Sequence, residues 1–279
     1  MRPLGRLTLV TGAGIIVATV FTFAGGQATA PRPAAAPARP AGSNQIARMP
    51  DGKPDFTGIW QSLNNAAWDI QDHNSGLAGY LGVPPGKGIV EGNTIPYKPD
   101  ALAQKKKNFE KRDTEDPAFA KCLLPGVPRA NYMPYPFEIV QNPNMVGIRY
   151  EFARAVRTID LAGKSRDWLE GWPDFYMGDS RGKWEGDTLV VDVRKLSENA
   201  WLDHAGNFYT EEAHVVERYT PIDRDHIQYE ATIEDPQVFT RPWKISFPLY
   251  RIIDKQPEVF EWDCRFDQDS AKYKDAIPK

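Results

Sequence analysis

The chain of 279 residues is poor in the residues that build metal and redox centres. It has two cysteines and four histidines, with no HxH, HExxH or Cys/His pair among them, so no zinc-ligand run is present. No nucleotide-binding glycine loop occurs either. Charge of one sign is also missing. A formal net charge of -3 gives no electrostatic reason to expect nucleic acid or an anionic membrane as a partner. Long apolar runs are confined to the first thirty residues, and long helical patterns are nearly absent. These gaps leave a chain whose chemistry, if it has any, must come from carboxylates, imidazoles and guanidinium groups without a cofactor.

The N-terminus carries an export pattern. Arg2 and Arg6 form a short basic stretch, Leu7 to Ala24 is apolar, and Gly26, Ala28 and Ala30 offer small residues for cleavage. Pro31 disfavours a cut after Ala30, so residues 1–28 are expected to be a signal peptide. An uncleaved anchor is the rival reading, because about 18 apolar residues is the lower limit for crossing a bilayer. Both put the rest of the chain outside the cytoplasm, in the periplasm or secreted, and cleavage would leave no stable membrane insertion. Residues 29–48, including TAPRPAAAPARPA, read as an extended Pro/Ala linker. Residues 49–279 then form a single domain, within the usual size of one β barrel or sandwich. In an oxidising compartment Cys122 and Cys264 are expected to be bonded. Such a bridge closes a loop of more than a hundred residues and is worth about 4–5 kcal/mol in the chain-entropy picture.

What is abundant is short strand patterns. PDFTGIW opens the domain with a strand carrying Phe56 and Trp60, followed by an irregular excursion over 61–98 with one short helix expected around Trp68. PDALAQKKKNFEKR, Pro99 to Arg112, is the one convincing helix: Pro99 and Asp100 suit its first turn and the basic residues its end. Its KKK run reads as a solvated face. Four prolines in CLLPGVPRANYMPYP predict a fixed, extended crossing. Met145 to Phe152 and Ala155 to Leu161 read as a hairpin, with Val146, Ile148, Tyr150 and Phe152 on one face. Thr188 to Val193 follows the WEGD turn, Ala213 to Thr220 pairs with His226 to Ile233 across PIDRD, Trp243, Ile245 and Phe247 share a face, and Val259 to Arg265 supplies the last strand. The prediction is an all-β, mainly antiparallel fold: a lipocalin-like barrel of eight to ten strands or a two-sheet sandwich, with one early helix. Eight Trp and eleven Tyr call for a thick core or an aromatic-lined cavity.

Candidate site residues follow from the alternation. His214, Val216 and Arg218 share one strand face, with Val215, Glu217 and Tyr219 on the other. If the first face points inward, His214 and Arg218 line the cavity; an ordinary half-exposed strand is the alternative. Asp203 beside His204 in WLDHAG is raw material for acid–base chemistry, although neighbours on a turn usually point apart. Asp179 lies on the GDSRG turn, which is formally G-x-S-x-G around Ser180. A nucleophile elbow needs a strand-to-helix turn, and here an antiparallel strand follows. Asp187 reads as turn chemistry, and spacing reveals no partner for His73 or His226. The expected set is therefore His214, Asp203 and Asp179 as acid–base groups, with Arg154, Arg157, Arg218, Trp201 and Tyr150 contacting ligand.

PDFTGIW, CLLPGVPR, YPFEIVQ, RYEFARAVRTI, GKWEGDTLVVD, WLDHAG, HVVERY and TIEDPQVFTRPW together resemble a large group of exported bacterial proteins without established activity. The resemblance covers most of the chain from Met49 and implies a secreted, β-rich, lipocalin-like domain. In that group the turn matching GDS commonly reads GHS, so Asp179 stands where a His would be. Three functions fit these residues: a cofactor-independent enzyme performing isomerisation, hydration or elimination on a small apolar or aromatic molecule, a lipocalin-type binder of such a molecule, or a structural envelope protein.

Overall fold

The computed structural model describes residues 45–74 and 85–261. The expected signal peptide and most of the expected linker lie outside the described residues, and so does Cys264. Among the described residues no helix is long and apolar enough to cross a membrane.

Nine strands close into a barrel: β1 (Gly58–Ser62), β2 (Phe137–Asn142), β3 (Met145–Tyr150), β4 (Val156–Asp160), β5 (Asp179–Glu185), β6 (Thr188–Arg194), β7 (His214–Pro221), β8 (His226–Glu234) and β9 (Trp243–Arg251). Neighbours follow chain order and β9 returns to β1. The alternation of apolar and polar residues sets the register. Val146, Ile148 and Tyr150 face Ile159, Arg157 and the β3–β4 turn; Val215, Glu217 and Tyr219 face Ile233, Ala231 and Tyr229. A slip by one residue would turn each of these sets to solvent. The sandwich alternative is thereby replaced by the barrel, and the pairing is antiparallel with one exception: β4 and β5 are parallel, joined through Ile159↔Ser180 and Asp160↔Arg181.

Helix α1 (Pro99–Glu110) begins with Pro99 at its first position, carries Asp100 in its first turn and Lys107 in its last, and buries only Ala101 and Asn108. A short second helix, α2 (Arg112–Glu115), follows. Several local expectations fail. Around Trp68 the chain makes a turn, not a helix. Phe152 leaves β3 and packs in a tight turn where Ala153 and Arg154 have positive φ. Val259 to Glu261 is not a strand, and the remainder of that segment lies outside the described residues.

The two ends of the barrel differ. Residues 143–144, 186–187 and 222–225 make tight turns at one end, whereas 63–136, 195–213 and 235–242 are long connections at the other. Those long connections build a cap. Within it the proline-rich segment turns through a 3-10 stretch, Arg129–Tyr132, all four of whose residues are buried. This stretch plugs the barrel. Tyr132 packs edge-to-face on Phe247 of β9 and its hydroxyl donates to Leu202 O (2.7 Å).

Candidate functional site

Arg157 and Glu217 both occupy inward positions, on β4 and β7. The barrel brings their side chains together at 1% and 0% exposure. Two guanidinium nitrogens of Arg157 donate to the two oxygens of Glu217, one of them at 3.0 Å, and Nε donates to Ser180 Oγ (2.9 Å). Glu217 Oε1 also accepts from Tyr229 (2.8 Å), Tyr219 (3.1 Å) and Asn131 Nδ2 (3.1 Å). Asn131 comes from the plug, and its Oδ1 accepts from the Tyr150 hydroxyl (2.9 Å). Burial pushes the Tyr150, Tyr219 and Tyr229 hydroxyls above their ordinary range, and the Glu217 charge adds to this. Burial works against the Arg157 charge, but Glu217 outweighs it. The result is a polar core whose members satisfy one another, as buried charges must.

The cap holds a second buried cluster. Asp116, following α2, accepts two bonds from Arg129 (2.8 Å each) and one contact from His204 Nδ1 (2.9 Å). Burial opposes its charge, yet Arg129 and His204 hold the carboxyl well below its usual range. His204 Nε2 lies 3.3 Å from the exposed carboxylate of Asp113, and its ring meets Trp68 and Phe119 edge-on. Asp203 points the other way, as sequence neighbours on a turn do. It is fully buried and accepts from Ile70 N (2.9 Å), Asn207 N (3.0 Å) and Asn207 Nδ2 (2.6 Å). Burial, with Asp69 close by, pushes its carboxyl up to about 7 in spite of those three donors.

A third network crosses the outer face of β4 to β7. His214 Nε2 meets Asp192 Oδ2 (2.6 Å); Arg166 joins Asp192 (2.8 Å) to Asp179 (2.5 Å); Arg181 joins Asp179 (2.8 Å) to Asp160 (3.1 Å). Beside it lies an open groove of about 590 Å³, lined by residues that include Asn142, Asn144, Thr158, Asp160, Lys164 and Arg181. Among the described residues no group of three or more His, Cys, Asp or Glu side chains is placed to hold a metal ion.

No protein family, curated protein or solved structure matches the chain.

The expected site residues therefore fall in four places. His214 and Arg218 are on the outer face, which corrects the inward placement: the inward residues of β7 are Val215, Glu217 and Tyr219. Arg218 pairs with Glu185 (3.0 Å). Asp179 is linked to His214 through Arg166 and Asp192, so two of the three proposed acid–base groups share one network, while Asp203 is in the cap. Arg157 and Tyr150 are in the polar core. Arg154 is outside, paired with Glu261 (2.8 Å), and Trp201 is half-buried, bridged to Phe208. Ser180 sits inside β5, not at a strand-to-helix turn, and its hydroxyl serves Arg157. Glu217, Asn131, Asp116, Arg129 and Asp69 were missed. For Glu217 a signal existed: a charged residue between Val215 and Tyr219 on an otherwise apolar face. The partners of the others come from distant segments, which spacing does not reveal.

Proposed function

We propose that this chain is an exported small-molecule-binding protein of barrel type, with its ligand in the groove outside the β4–β5 junction. One observation carries this reading. The charged groups inside the barrel are spent on each other, whereas the groove offers about 590 Å³ beside the amides of Asn142 and Asn144, the Thr158 hydroxyl and the Lys164 ammonium. Lys164 suits an anionic group, and Asn142, Asn144 and Thr158 suit hydroxyls, so the ligand proposed is polar, in place of the apolar or aromatic one expected from the sequence. Pairs such as Arg181–Asp160 are already fixed, which reduces the ordering cost of binding. Export and the likeness to the secreted bacterial group belong to the same proposal.

Native mass spectrometry of protein isolated from its own envelope tests this directly. A retained polar molecule, absent from a Thr158→Trp variant that fills the groove, is the expected result. Retention of a ligand by the filled variant would overturn the placement. A second reading, acid–base catalysis without cofactor, is favoured by Asp203 alone, because a carboxyl that titrates near neutrality is suited to proton transfer.

A further inference from the structure

Gly147 has no explanation in the fold itself. It lies in the middle of β3, on the outer face, and pairs with Val140 of β2 and Thr158 of β4 in an unbroken register. No bulge interrupts the strand there, and its φ lies outside the left-handed region that calls for glycine. A glycine inside a strand weakens it; apart from a bulge or a sharp bend, its usual reason is a group that comes close to the backbone. Packing supplies that reason at Gly182, where a Cβ would meet Leu161 Cδ2 at 2.5 Å and Ile159 Cγ2 at 2.8 Å. At Gly147 it does not. Among the described residues a Cβ there would meet Val140 Cγ2 at 3.0 Å and nothing else nearer than 4.0 Å. Val140 is 46% exposed, so its methyl group can turn aside.

The missing side chain leaves a shallow apolar shelf beside Val140, Met145 and the exposed Val156. Met145 and Thr158 also line the groove, so shelf and groove are continuous. Strand spacing sets the dimensions. The row Asn142–Met145–Asp160 lies at the groove, the row Val140–Gly147–Thr158 about 7 Å further along, and the row Glu138–Arg149–Val156 about 13 Å along. The Glu138–Arg149 ion pair (3.0 Å) bounds the shelf at its far end. At the near end Asp160 and Asp179 are taken up by Arg181 and Arg166. Lys164 brings to the groove a cation that belongs to none of those pairs.

We propose that groove and shelf form one site for a monoanionic amphiphile. Its carboxylate head lies at Lys164, among the amides of Asn142 and Asn144, and its unbranched apolar body lies over Gly147 between Val140 and Met145. This rests on the groove reading above and adds what lies beyond the ligand's polar end. One unpaired cation matches one charge on the head. The body, lying flat on the strand, removes Val140, Met145 and Val156 from water, which favours binding. Any side chain at position 147 would hold it off the backbone.

Octanoate, whose chain is long enough to reach past Gly147, is the probe, titrated into the full chain with the Val140 and Met145 methyl resonances as readout. Saturable shifts at both are expected. Gly147→Thr, which fills the shelf, and Lys164→Gln should each weaken octanoate at least tenfold. Gly147→Thr should keep the parent melting temperature, because threonine suits an exposed strand position. Should it fail to fold, Val140→Asp replaces it, with the same tenfold loss expected from a charge placed beside the body. Gluconate, a carboxylate with a hydroxylated body, separates this inference from the reading on which it rests. Binding of gluconate without octanoate, or octanoate affinity unchanged by Gly147→Thr or Val140→Asp, would overturn the amphiphile and leave the polar groove standing. Binding of neither overturns the amphiphile as well, and the retained molecule sought by native mass spectrometry then decides the groove.

Discussion

Replacing Arg157 with Met should cost this protein more stability than any change on the outer face. The guanidinium is buried at the centre of the barrel and supplies two of the bonds to Glu217. Without it the carboxylate keeps Asn131, Tyr219 and Tyr229 but loses the cation that pairs with it. Stranding one member of a buried pair costs about 3–5 kcal/mol. At a urea slope of about 2–3 kcal/mol/M, that moves the midpoint down by about 1–2.5 M. Removing both charges behaves differently. Arg157→Met with Glu217→Leu eliminates the uncompensated ion but leaves the Tyr219 and Tyr229 hydroxyls without their shared acceptor, at about 1–3 kcal/mol each. Adding Tyr219→Phe and Tyr229→Phe should recover most of that loss. The assay is equilibrium urea unfolding followed by tryptophan fluorescence, with unchanged slopes across the series. A cost below about 1 kcal/mol for Arg157→Met alone, or a double variant as unstable as the sum of the singles, would show that water reaches this core and that the pair is not what holds it.

Two further outcomes follow from packing and from the cysteines. A side chain at Gly182 would meet Leu161 Cδ2 at 2.5 Å and Ile159 Cγ2 at 2.8 Å from its Cβ, so Gly182→Val should destabilise by about 1–3 kcal/mol, read as a lower melting temperature without change in sheet content by circular dichroism. Alkylation of the protein under denaturing, non-reducing conditions should label neither Cys122 nor Cys264; two modified thiols would exclude the bridge.

Strands and turns were legible because each answers to a local rule. His214 to Pro221 and His226 to Glu234 alternate with period two, and PIDRD turns between them. Pro99 and Asp100 mark the start of α1 for reasons local to its first turn. Faces were harder. Alternation divides β7 into two sets, yet Val216 on one set and Glu217 on the other leave the inward side undecided, since most of what offsets the burial of Glu217 comes from afar: Arg157, sixty residues earlier, the plug's Asn131, and Tyr229 on the next strand. The cap was unreadable for the same reason. Asp116, Arg129 and His204 meet across 88 residues, and no single segment announces the contact.

Nine is an odd number. Strands that alternate up and down around a ring cannot return to their start in opposite sense when their count is odd, so somewhere two neighbours must run the same way. This chain places that obligatory mismatch at β4–β5 and carries the polypeptide back along the wall through residues 161–178. The join is only two residue pairs long, and it is riveted on both sides, by Arg157–Ser180 within and by Arg166 and Arg181 without. With two residue pairs it is the shortest join of the ring, against three each at β1–β2 and β1–β9. The outer charges there are then less a decoration of the surface than the hoop that keeps the ring shut.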